Sequence, residues 1–144
     1  MIRGINHYNL RSEQNMMETL KDFYISIVGL KLGVRPPFKS KGYWLYVEKK
    51  DVLHLSATKN NEKNLINVNS TFDHMAFTAE NREKFIKILN ENNITFKERQ
   101  VPEIETDQIF FKDPAWVDLH NKSESKSASK NAASRRPYFD RVSV

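Results

Sequence analysis

At 144 residues the chain has room for one domain and a tail, because a single core of this size buries about 70% of the surface its unfolded chain exposes. The formal charge is +5, but residues 122–144 hold six basic residues against two acids, leaving 17 against 16 over residues 1–121. A near-neutral body argues against nucleic-acid binding, which needs a basic stripe on the fold itself. With no cysteine, a thiolate nucleophile, a Cys-ligated metal and a disulfide framework are all excluded. The opening residues lack the apolar stretch of a signal peptide, and no apolar run approaches membrane-spanning length, so a cytoplasmic protein with no membrane partner is expected.

In chain order, residues 5–11 read as a strand. Residues 13–28 then switch to helical spacing, with Met16, Leu20, Phe23 and Ile27 on one stripe and Gly29 as C-cap. Residues 30–35, the aromatic run 43–48 and residues 52–58 follow as three strands, separated by Pro36-Pro37 and by a polar turn, Lys49-Lys50-Asp51. Residues 59–70 are polar and Asn-rich and read as a connection. The pattern then restarts: strand 71–78, a helix over 80–92 with Phe85, Ile88 and Leu89 inward, strands 95–101 and 108–112, the turn Asp113-Pro114-Ala115, and a last strand 116–121. The expected organisation is α+β, two β-α-β-β-β modules over residues 1–59 and 71–121 of one domain 1–121. Residues 122–144, rich in Ser, Lys, Ala and Asn, read as a flexible basic tail.

All four histidines, His7, His54, His74 and His120, fall in expected strands. His7 and His74 are 67 residues apart, and His54 and His120 are 66 apart, close to one repeat length in both cases. Leu53 and Leu55 facing the helix would leave Val52, His54 and Ser56 on the other face; Val117 and Leu119 likewise leave Asp118 and His120 together. Imidazoles converging from different strands suit Zn, Fe, Ni or Co, whereas any one of these histidines alone reads more readily as a hydrogen-bonded core or rim residue. The aromatics of 43–46 and Phe110-Phe111 fit ordinary sheet core or the lining of a ligand cup, and Lys39-Ser40-Lys41-Gly42 a solvated loop or an anion-binding lid.

The phrases Asp73-His74-Met75-Ala76-Phe77, Leu53-His54-Leu55 and Phe110-Phe111-Lys112-Asp113-Pro114, set in paired modules, resemble the vicinal-oxygen-chelate superfamily. That group includes glyoxalases, bleomycin-resistance proteins, fosfomycin-modifying transferases and extradiol dioxygenases. The resemblance implies an open eight-stranded cup with a helix packed on each half. It also implies a divalent metal (Zn, Fe, Ni, Co or Mn) held by His7 and His74 from the first strands, His54 and a fourth ligand. Relatives usually continue Asp-Pro-x-Gly-x-x-x-Glu-Leu; here Trp116 stands at the glycine and His120 at the glutamate, or, with a two-residue deletion, Asp118 is the carboxylate ligand. The repeat offset favours His120 as ligand and leaves Asp118 as the candidate catalytic base. The implied activity is metal-dependent lyase, isomerase or dioxygenase-type chemistry on a small oxygen-chelating substrate. The alternative is a non-catalytic ligand- or antibiotic-sequestering protein of the bleomycin-resistance type, and a decayed site is a third reading. Homodimers are common in the group, and an open sheet edge gives them a physical motive.

Overall fold

The computed structural model describes residues 2–59, 72–101 and 106–124. The expected flexibility of the tail, from residue 125 onward, and most of the expected connection over 59–70 lie outside the described residues. The first module runs β1 (Tyr8–Ser12), α1 (Gln14–Ser26), β2 (Lys31–Leu32), β3 (Gly42–Val47) and β4 (Lys50–Ala57). The second repeats it as β5 (His74–Thr78), α2 (Arg82–Glu91), β6 (Phe96–Val101), β7 (Thr106–Lys112) and β8 (Asp118–Glu124). The α+β class and the paired modules expected from the sequence are those observed.

Each module makes a mixed four-stranded sheet of the same order, β1-β4-β3-β2 and β5-β8-β7-β6. The first strand lies parallel to the last, and the other pairs are antiparallel. The parallel pairing follows from the intervening helix, since only a long crossover returns the chain in the same direction. Leu53 and Leu55 of β4, Leu45 of β3, and Ile109, Phe111 and Leu119 of β7 and β8 turn one face of each sheet into a shared core with Met17, Leu20, Tyr24, Phe85 and Leu89 of the helices.

The buried stripe of α1 differs from the expected one at two of its four positions. Met17, Leu20, Tyr24 and Ile27 are buried, while Met16 and Phe23 pack half-buried at its flank. Leu20 and Ile27 are common to both stripes, while Met17 and Tyr24 take the inward places expected of Met16 and Phe23, and the Tyr24 phenol reaches a buried polar partner in the second module. In α2, Phe85 and Leu89 are buried and Ile88 is half-buried. Gly29 takes φ 88°, which brings the Leu30 N–H back to the Tyr24 carbonyl at 2.9 Å and closes α1. The expected 30–35 strand shrinks to Lys31–Leu32. At its end the Tyr46 ring lies flat against Gly33, where a Cβ would come within 2.4 Å of that ring.

The modules meet through α1 and β1. Phe23 packs on Phe111 and Tyr8 on Phe77, each with ring centroids 6.4 Å apart, and the Tyr24 hydroxyl donates to Asp113 Oδ2 at 2.9 Å. Because both sheets bury their apolar faces in one core, their opposite faces are left for function.

Candidate metal centre

The four histidines occupy those opposite faces as two pairs related by the repeat. In the first module Asn9 is the register partner of His54, and His7, one residue before β1, lies two positions ahead on the same face. In the second, Ala76 is the partner of His120, and His74 again lies two positions ahead. Diagonal neighbours of this kind are within reach of ring side chains. The rings of His7 and His54 stack with centroids 3.8 Å apart, as do those of His74 and His120.

Each pair is backed by an aromatic from the neighbouring strand. Trp44, the β3 partner of His54, stacks parallel to it at 4.1 Å, so His54 is sandwiched and buried. Phe110, the β7 partner of His120, meets that ring edge-on at 3.9 Å. These two aromatics thus lie on the histidine faces of the sheets, while Leu45 and Phe111 are core and Tyr43 turns toward the helix to donate to Glu18 at 2.7 Å. Burial, followed by the charges of His74 and Lys122, lowers the His120 pKa below the ordinary imidazole value and keeps the ring neutral at physiological pH.

Three of the four rings have one nitrogen tied to a side-chain oxygen: His7 Nδ1 to Asn6 Oδ1 at 2.7 Å, His74 Nδ1 to Asp73 Oδ2 at 2.6 Å, and His54 Nε2 to Asp51 Oδ2 at 2.7 Å. Asn6 and Asp73 are themselves one repeat apart. A partner on one nitrogen fixes the ring and leaves the other as a donor, the usual outer arrangement of a metal-binding imidazole. The hydrogen bonds from His54 and His74 hold the Asp51 and Asp73 carboxyls below the usual carboxylate range, so both are ionised at neutral pH.

Among the described residues, the group of three potential metal donors within 4.8 Å of one another is His7, Asp51 and His54. The second pair stands outside it. Asp118, the register partner of His74, shares its face with His120, and its Oδ2 accepts from Lys112 Nζ at 2.7 Å.

Asp51 is the residue that sequence reasoning passed over, as part of a polar turn. Alternation counted back from Leu53 puts it on the core side. The β3–β4 ladder, however, shifts register between Leu45 and Tyr46: Leu45 pairs with Leu53 and Tyr46 with Asp51, leaving Val52 without a β3 partner. This bulge returns Asp51 to the face of Trp44 and His54. The turn itself is Glu48-Lys49, with Glu48 at φ 52°. For Asn6 and Asp73 a signal did exist, in the shared 67-residue offset of two Asx-His dipeptides.

Solved structures of similar architecture share this two-module plan. One is a glyoxalase/bleomycin resistance protein/dioxygenase domain from Frankia sp., at TM-score 0.69 and 15% identity over 86% of this chain and 99% of that one. The fold is that of the vicinal-oxygen-chelate superfamily. Also similar are the trypanothione-dependent glyoxalase I of Leishmania major (TM-score 0.65, 16% identity, covering 92% and 94%) and the fosfomycin resistance protein FosX of Listeria monocytogenes. The latter, a single-substitution variant complexed with Mn(II) and 1S,2S-dihydroxypropylphosphonic acid, gives TM-score 0.64 and 14% identity over 91% and 99%. No family model matches the sequence, and no curated protein matches it. No helix among the described residues is long and apolar enough to cross a membrane.

Proposed function

We propose that the protein is a metal-dependent enzyme of the glyoxalase type, carrying out lyase, isomerase or dioxygenase-type chemistry on a small oxygen-chelating substrate. The observation that supports this reading is the convergence of His7, Asp51 and His54, with donor atoms within 4.8 Å, together with the repeat-related stacked pair His74 and His120. Imidazole and carboxylate donors suit Zn, Fe, Ni, Co or Mn better than Mg or Ca, so the residues present fit the group the fold implies. His74 and His120 complete the ligand set.

When bound, such a metal supplies Lewis-acid polarisation of neighbouring substrate oxygens. The chain's own residues do the rest. Asn6 and Asp73 orient two of the imidazoles, and Trp44 and Phe110 each shield one ring from water. Asp118, steadied by Lys112, is the base that takes a proton from the substrate. The reading places this work in the cytoplasm, with the chain beyond β8 as a basic tail, and the exposed sheet edges allow a homodimer.

The test is metal content by plasma mass spectrometry on untagged protein. About one equivalent of a transition metal is expected, with affinity falling about 10–100-fold in His7→Ala, His54→Ala and Asp51→Asn. Parent protein that takes up no Zn, Fe, Ni, Co or Mn would overturn the enzyme reading and leave a ligand-sequestering module.

A further inference from the structure

On the second sheet the pleat sorts charge as well as histidines. Lys97 and Arg99 of β6 pair with Phe110 and Gln108 of β7, Phe110 pairs with His120, and Lys112 with Asp118, so all of these point to the His120 side. Lys122, two residues beyond His120, joins them. The other side sends Ile109, Phe111 and Leu119 into the core.

A cavity of about 710 Å³ follows the β6 edge of this sheet, lined from the His120 side by Lys97, Arg99, Phe110, Lys112 and Asp118 and from the other side by Phe96, Glu98 and Phe111. Its acids are already engaged: Asp118 with Lys112, and Glu98 with Arg82 of α2. Lys97 and Arg99 have no ion-pair partner among the described residues. Two cations that no described acid pairs, beside the Phe110 ring, in a body whose charge is otherwise near neutral, focus a positive field where a small ligand fits.

We propose that this cavity anchors the substrate and that the substrate is a small acid, its oxyanion held by Lys97 and Arg99 and its apolar body laid on Phe110. The Phe110 ring is 3.9 Å from His120, so the uncharged end of such a molecule arrives at the second histidine pair. This assignment names the substrate class of the site proposed above, and rests on that reading only for the identity of the reacting end. Arginine and lysine both recognise oxyanions, arginine with a bidentate fork and lysine as a point charge.

The experiment is isothermal titration of the full chain, EDTA-treated and zinc-loaded, with phenylphosphonate, benzoate, inorganic phosphate and benzyl alcohol. Phenylphosphonate or benzoate should bind the EDTA-treated protein roughly tenfold more tightly than either inorganic phosphate or benzyl alcohol, since charge and apolar body both contribute. The tighter of the two acids tells phosphoryl from carboxylate. Lys97→Gln and Arg99→Gln, both at exposed positions, should each weaken that acid roughly tenfold while metal content stays at the parent level. The proposal is overturned if no probe binds, if benzyl alcohol binds as tightly as the acids, if binding requires zinc, or if the two variants bind like the parent. Acid binding to a protein that takes up no metal would uphold the anchoring cavity and sink the enzyme reading alone.

Discussion

Trp116 is the residue least at ease in its place. It sits at φ 68° in the turn between β7 and β8, and 61% of it is exposed. A left-handed backbone costs a residue with a Cβ about 1 kcal/mol or more. The turn imposes it nonetheless: the Trp116 N–H donates to the Asp113 carbonyl, and Asp113 Oδ1 accepts from the N–H groups of Ala115 and Val117, all at 2.9 Å. With so little of the indole buried, there is little contact energy to offset the strain. Trp116→Gly should therefore stabilise the protein by about 0.5–1 kcal/mol, read from the urea midpoint. A lower midpoint would show that the indole has a docking partner whose contacts outweigh the strain.

At the scale of elements, the same turn joins α1 of one module to β7 and β8 of the other. Asp113 is buried, and burial pushes its carboxyl above the ordinary 3.8, although the N–H groups of Val117 and Ala115 and the Tyr24 hydroxyl pull the other way. A carboxyl raised on folding makes the folded state bind protons more readily than the unfolded one. Its contribution to stability is therefore complete below the unfolded value near 3.8 and is lost as pH rises through the folded value. Asp113→Asn removes that titration. The stability of the parent relative to this variant should grow as pH falls from neutral toward about 4, and a difference that stays flat across that range would place the charge elsewhere. This junction is also where the helix stripe was misread. Spacing alone gave α1 its length and amphipathic character, but Met16–Phe23 and Met17–Tyr24 are adjacent stripes on one helix. The second of them is the inward face, and its Tyr24 reaches a buried acid 89 residues away, a contact that spacing does not reveal.

For the molecule as a whole, repetition was the legible feature. Offsets of 67 and 66 residues placed His7 with His74 and His54 with His120 in equivalent positions, and the register shows equivalent diagonals in both sheets. What repetition could not reveal is how the pairs group, because that depends on a bulge which turns Asp51 toward His54 in the first module only. Modules of the same strand order raise the question of whether each folds alone. A module of some 50 residues buries too little surface to be independently stable without a partner, and the shared core supplies one: Phe111 of β7 packs on Phe85 of its own helix at 5.4 Å and on Phe23 of the other module's helix at 6.4 Å. The parent should therefore unfold in urea as a single transition, coincident by tyrosine and tryptophan fluorescence and by far-ultraviolet circular dichroism. Phe111→Ala should cost about 3–5 kcal/mol while keeping the transition single, because the cavity it opens touches both modules at once. If instead the variant unfolds in two steps, with Trp44 in the first module retaining the parent midpoint, the modules are stable separately and the common core contributes packing without cooperativity.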